Sequence, residues 1–99
     1  MNYQLNVSVS PNARTQFVRL IQNERSFNAI PSIVWATDNA SGRAEWIIGF
    51  YDRSKVPGDF IVDADGVELV VEPQWREALN GARIDVFEGQ LSVQGGKPG

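Results

Sequence analysis

Ninety-nine residues, 42% of them hydrophobic and 10% aromatic, suffice for one domain with a modest core and leave no room for a second. A net charge of −3 and an isoelectric point near 4.8 exclude a phosphate-tracking nucleic-acid binder, which needs clustered Lys and Arg. Cysteine and histidine are both absent, which excludes disulfides, thiolate metal ligands, cysteine nucleophiles and imidazole bases together.

In chain order, Tyr3, Leu5, Val7 and Val9 alternate with polar residues, the period-two pattern of a half-buried strand. Ser10-Pro11 then predicts a helix start. A serine hydroxyl can cap free amides, and proline loses nothing where its N–H would be unbonded anyway. Ala13, Phe17, Leu20 and Ile21 give that helix one apolar face, with an end expected near Asn23, ahead of Glu24-Arg25-Ser26. Residues 30–36 and 45–51 are expected strands, joined by a Thr, Asp, Asn, Ser and Gly-containing loop over 37–42. Because both faces of 45–51 are largely apolar, that strand is expected in the middle of a sheet. Residues 52–59 predict a surface loop. Strands 60–62 and 67–71 flank "DADG", where Asp65-Gly66 signals a two-residue hairpin turn. Pro73 opens a short helix that Asn80-Gly81 stops, and residues 82–87 and 90–93 are two last strands.

The sum is a strand-rich α+β domain over residues 1–94, with about seven short strands, one moderate helix and one short one, and a flexible tail over 95–99. No apolar run nears the roughly 20 residues of a membrane span, and no leader pattern opens the chain, so a soluble cytoplasmic protein is expected, with neither membrane nor nucleic acid as partner.

One stretch is more specific. "DGVELVVEPQWREALNGARIDVFEGQLSV", residues 65–93, combines an apolar strand, a short helix, an Asn-Gly turn and an Ile-Asp-hydrophobic strand. With "SPNARTQFVRLI" and "SGRAEWIIGFYD" it resembles the HesB-like domain, the fold of A-type iron–sulfur cluster carriers. That resemblance implies the scaffold, and oligomers as a habit of the family. The family's first cysteine precedes a Ser/Ala-Gly pair. Here the pair is Ser41-Gly42, and the preceding residue is Ala40, whose methyl cannot coordinate iron. Its Cys-Gly-Cys motif has no counterpart in the closing "GGKPG". Soft thiolates hold such clusters, so this chain is expected to carry none by itself and to have no cofactor.

Among the remaining residues, carboxylates are the only hard ligands. Asp38, Glu45 and Asp52 offer weak divalent-metal binding, alone or completed by a partner's cysteines, as the alternative function. "DADG" also opens like a calcium loop, but the twelfth position is Gln74 instead of a bidentate glutamate, which favours the hairpin turn. No Ser-x-x-Lys, nucleophile elbow or phosphate-cradling loop is present, and Glu68, Glu72 and Asp85 fit solvated strand faces, so no catalysis is expected. Trp35 and Trp46 are expected in the core. Trp75 and Arg76, on the short helix, are either a contact pair or core packing, and Arg43 in the 37–43 loop is a further contact candidate. The expected role is contact with a protein partner or a second copy. A small-molecule groove is a third class that periodicity does not address.

Overall fold

The computed structural model describes residues 3–23 and 28–96. Residues 24–26 beyond the first helix and 97–99 of the expected tail lie outside the described residues. The architecture is α+β and strand-rich: β1 (Tyr3–Leu5), β2 (Ser8–Val9), α1 (Pro11–Asn23), β3 (Ala29–Thr37), β4 (Ala44–Asp52), β5 (Ile61–Ala64), β6 (Val67–Val70), α2 (Pro73–Leu79), β7 (Arg83–Phe87) and β8 (Gln90–Gln94). Five strands form one mixed sheet in the order β1-β5-β6-β3-β4, and three form another in the order β2-β7-β8. Among the described residues no helix is long and apolar enough to cross a membrane.

The single strand expected over 3–9 is two strands. At Asn6 the chain makes a tight turn, with the Val7 N–H donating to the Leu5 carbonyl at 2.8 Å, an i to i+2 bond. β1 pairs parallel with β5 in the large sheet, and β2 pairs parallel with β7 in the small one. The alternation survives the kink. Leu5, Val7 and Val9 are all buried, because a γ-turn changes direction without exchanging the faces. The stop after α2 serves this junction too: Gly81, at φ 87°, donates its N–H to the Asn6 carbonyl at 2.6 Å.

α1 packs on β7 and β3 and buries Ala13 and Phe17 between the sheets, against Ile33, Val62, Leu69, Leu79 and Ile84. Ser10 caps it as the sequence predicts, its Oγ accepting the Ala13 N–H at 3.0 Å. The same hydroxyl donates to Asp85 Oδ1 at 2.7 Å, so Asp85 is a structural latch between β7 and the start of α1 and not merely a solvated strand position. The Ser10 hydroxyl, then the Val86 N–H, with the Arg83 guanidinium adding to them, hold the Asp85 carboxyl below its ordinary range. A depressed carboxyl pKa stabilises the folded state above the unfolded value, about 3.9, and that contribution disappears as pH falls through the folded value. Asp85→Asn is therefore expected to be less stable than the parent at pH 7, with the gap narrowing below about pH 4; urea melts across pH 2.5–7 check this. A constant gap would exclude the latch. Ser10→Ala, which also removes the cap, is expected to cost about 1 kcal/mol.

The "DADG" turn has φ 54° at Asp65 and 85° at Gly66, the left-handed pair a two-residue hairpin demands. Asp63 Oδ1 accepts the Gly66 N–H, and Asp65 Oδ2 accepts the Val9 N–H at 3.0 Å. Arg14 donates to the Asp65 carbonyl at 2.6 Å. The hairpin tip thus clasps the β2–α1 junction.

One expectation fails at β4. The strand lies at the edge of the large sheet, paired with β3 alone, and not at its centre. Its residues 46–50 are half-buried on both faces. The apolar pattern that suggested two covered faces is instead an edge strand of nine residues, without proline or lysine to blunt it.

Candidate functional site

The β3–β4 register pairs Trp35 with Trp46 directly across the hairpin, with Thr37 and Ala44 closing the ladder just beyond them. The two indoles meet edge to face, ring centroids 4.9 Å apart and planes at 70°. Both are half-buried. Neither is fully enclosed in the core as the sequence suggests; both wall an open groove of about 730 Å³ between the β3–β4 hairpin and the β7–β8 hairpin. Trp46 also packs against the core cluster, and its Nε1–H donates to the Gly96 carbonyl at 2.7 Å.

The opposite wall comes from β8 and the turn before it. Phe87 is 63% exposed, a large apolar surface left uncovered at the groove, and Leu91 and Val93 complete the lining. Glu88 and Gly89 both take positive φ, 52° and 79°. Glycine is at ease there, whereas glutamate lacks the short side chain that lets Asn or Asp settle in this conformation. Glu88→Asn is accordingly expected to raise stability by about 0.5–1 kcal/mol. Equilibrium unfolding measures it, and an unchanged or lower midpoint would show that Glu88 is not strained.

Charge at the groove is of one sign. Glu45 and Glu88 line it, and no lysine or arginine does among the described residues. A neighbouring depression of about 390 Å³ shares Glu45, Trp46, Gln90 and Leu91, and continues past Phe50 to Gln16 and Leu20 of α1. The two depressions meet at those four shared residues.

The expected tail contributes to this site. Gln94 belongs to β8, and Gly95 and Gly96 are packed against the end of α2 and the turn after it. A Cβ on Gly96 would collide with the Ala78 carbonyl oxygen, and one on Gly95 would lie 3.0 Å from Ala82 Cα. Two successive glycines let the backbone pass close enough for the Gly96 carbonyl to meet the Trp46 indole.

The residues singled out in the sequence lie elsewhere. Ala40 and Arg43 sit exposed in the β3–β4 loop, where Asp38 Oδ1 accepts the Ala40 N–H at 2.8 Å and the Asp38 N–H donates to the Arg43 carbonyl. Trp75 is half-buried against the core. The Arg76 guanidinium lies over the Tyr3 ring, 4.8 Å from its centroid, and donates to the carbonyls of Val71 and Asp59. Trp75 and Arg76 share α2, and neither joins Arg43; none of the four lines the groove. Asp52 lies at the far end of β4 from Glu45, seven residues or about 23 Å away along the strand. Its carboxylate caps a 3-10 turn, Arg53–Lys55, accepting from the Ser54 hydroxyl at 2.7 Å and the Ser54 N–H. Those bonds, with Lys55 nearby, hold the Asp52 carboxyl below its ordinary range. Asp38, Glu45 and Asp52 therefore do not converge on one ion, and among the described residues no three such side chains are placed to hold a metal.

No protein-family model matches the chain, and no curated protein sequence matches it.

Proposed function

We propose that this chain is a HesB-like domain that carries no iron–sulfur cluster of its own and works, without catalysis, by contact with another protein in the cytoplasm. The order of elements supports the scaffold: a strand, a Ser10-capped helix, the β3–β4 pair, the β5–β6 hairpin, α2, the Asn80-Gly81 turn and β7 follow one another as in the resemblance. The absence of Cys and His from all 99 residues, and the methyl of Ala40 at the family's first ligand position, support the loss of the cluster. The observation that carries the contact role is the open groove walled by Trp35, Trp46 and Phe87, since aromatic side chains left at a concave surface are typical of binding hot spots.

The test is affinity capture from native lysate under anaerobic conditions, with parent and Trp35→Ala baits side by side and iron assayed in each eluate. Trp35 is not among the residues packed on the core cluster, so its truncation is expected to leave the fold intact. Proteins retained by the parent and lost with Trp35→Ala are expected, and sedimentation will report whether a second copy is among them. Identical eluates from the two baits would overturn the contact role. Cysteine-bearing assembly proteins among those lost would tie the domain to cluster assembly.

A further inference from the structure

Resting on the contact role just proposed, we infer that the partner presents an extended segment whose lysine or arginine side chain enters the groove between the tryptophans and the two glutamates. Two independent features converge on a cation. The Trp35 and Trp46 planes stand at 70°, two walls of a corner, with Phe87 on the further side, and aromatic faces attract ammonium and guanidinium groups through the ring quadrupole. Glu45 and Glu88 supply negative charge at the same groove, with no lysine or arginine lining it to neutralise them. The Trp46 indole N–H is engaged by the Gly96 carbonyl, so that ring meets a ligand through its π surface.

An extended backbone follows from the shape of the site. The second depression is lined by β4 from Glu45 to Phe50, and β4 is an edge strand whose outer backbone groups pair with no strand among the described residues. From Glu45 to Phe50 it offers about 17 Å, room for five or six residues added as a strand. Hydrogen bonding along the edge holds such a segment in place, and the aromatic corner selects its side chain.

The experiment titrates the full chain with a blocked pentapeptide, Gly-Val-Arg-Val-Gly, following tryptophan fluorescence and the indole N–H resonances. The same peptide with citrulline in place of arginine, the same with glutamate, and free tetramethylammonium are the comparisons. Citrulline keeps the shape and removes the charge. The arginine peptide is expected to shift the Trp35 and Trp46 resonances and to bind about tenfold more tightly than the citrulline peptide, the sum of a cation–π contact and two exposed ion pairs. Glu45→Gln with Glu88→Gln, both at exposed positions, is expected to shrink that margin to about two- to fivefold, the part that the cation–π contact supplies, while the melting temperature holds.

Equal binding of the arginine and citrulline peptides would overturn the inference, as would tetramethylammonium binding where the peptide does not, which would mark a small-cation site. If lysate proteins are lost with Trp35→Ala but kept by the double glutamine variant, the contact role stands and the cationic partner falls. Failure of both arms would remove both.

Discussion

Phe17→Ala is expected to lower unfolding free energy by about 3–5 kcal/mol, the largest single-residue effect in the molecule. Phe17 is 1% exposed and stands on the face of α1 that closes over both sheets, among Leu5, Val9, Ile33, Leu79 and Ile84. Removing the ring loses the transfer free energy of a large apolar group and leaves a cavity. The surrounding side chains come from separate strands of two sheets and from α2, and cannot all move inward together. Total stability for a domain of this size is about 5–15 kcal/mol, so the variant loses a large share and is expected to expose ANS-binding surface on mild heating. Urea unfolding measures the change as a lower midpoint at constant m-value. Val18→Ala, one position along the same helix but 51% exposed, is the control, expected within about 0.5 kcal/mol of the parent. Similar losses for the two variants would mean that α1 does not present the face assigned to it.

The same helix shows how far the residues announced the fold. Its boundaries, cap and apolar face were legible because they depend on local rules: a hydroxyl at the N-cap, proline at the first position and a 3.6-residue period. The β5–β6 turn was legible for a like reason, since Asp65-Gly66 suits positive φ at both positions. What failed was non-local. Apolar residues on both faces of β4 fit a central strand or an unblunted edge strand equally well, and only strand order separates the two. The break at Asn6 was hidden because a γ-turn preserves the alternation on either side. Asp85 read as a solvated strand position because nothing local to 84–86 points to Ser10, 75 residues earlier.

The aromatic groove was hidden by the same gap. Trp35 and Trp46 looked like core because large aromatics usually are, and Trp75 was left between contact and core because its helix neighbours are polar. In the structure Trp75 and Trp46 both pack on the core cluster, and Trp46 with Trp35 also walls the groove. One signal was available: residues 35 and 46 are equidistant from the middle of the 38–43 loop, which makes them cross-strand partners on one face of a hairpin. Phe87 and Glu88 carried a weaker signal, a bulky apolar residue beside an unglycined turn position.

Trp46→Ala is the second large effect, expected at about 2–3 kcal/mol, below the value for a fully buried tryptophan because the side chain is half-buried. Three contacts are lost together: packing against the core, the edge-to-face contact with Trp35, and the Nε1–H bond to Gly96. The last of these reaches beyond stability. Gly96 is fifty residues away in sequence, and its carbonyl is held by an indole from the opposite hairpin. Trp46→Phe separates the terms. It retains an aromatic ring against Trp35 and the core and removes the donor with three ring atoms, so it is expected to cost less than Trp46→Ala, about 1–1.5 kcal/mol. Both variants are expected to raise amide exchange at Gly95 and Gly96, while Trp35→Ala, which leaves the bond intact, is not. Hydrogen exchange read residue by residue decides the matter. If Trp46→Phe leaves exchange at Gly96 unchanged, the 95–96 segment is held by its packing against Ala78 and Ala82 alone. Faster exchange in Trp46→Phe without a comparable loss of global stability would make the indole a clasp, fixing the same ring that walls the groove and tying the shape of the binding surface to the segment running past it.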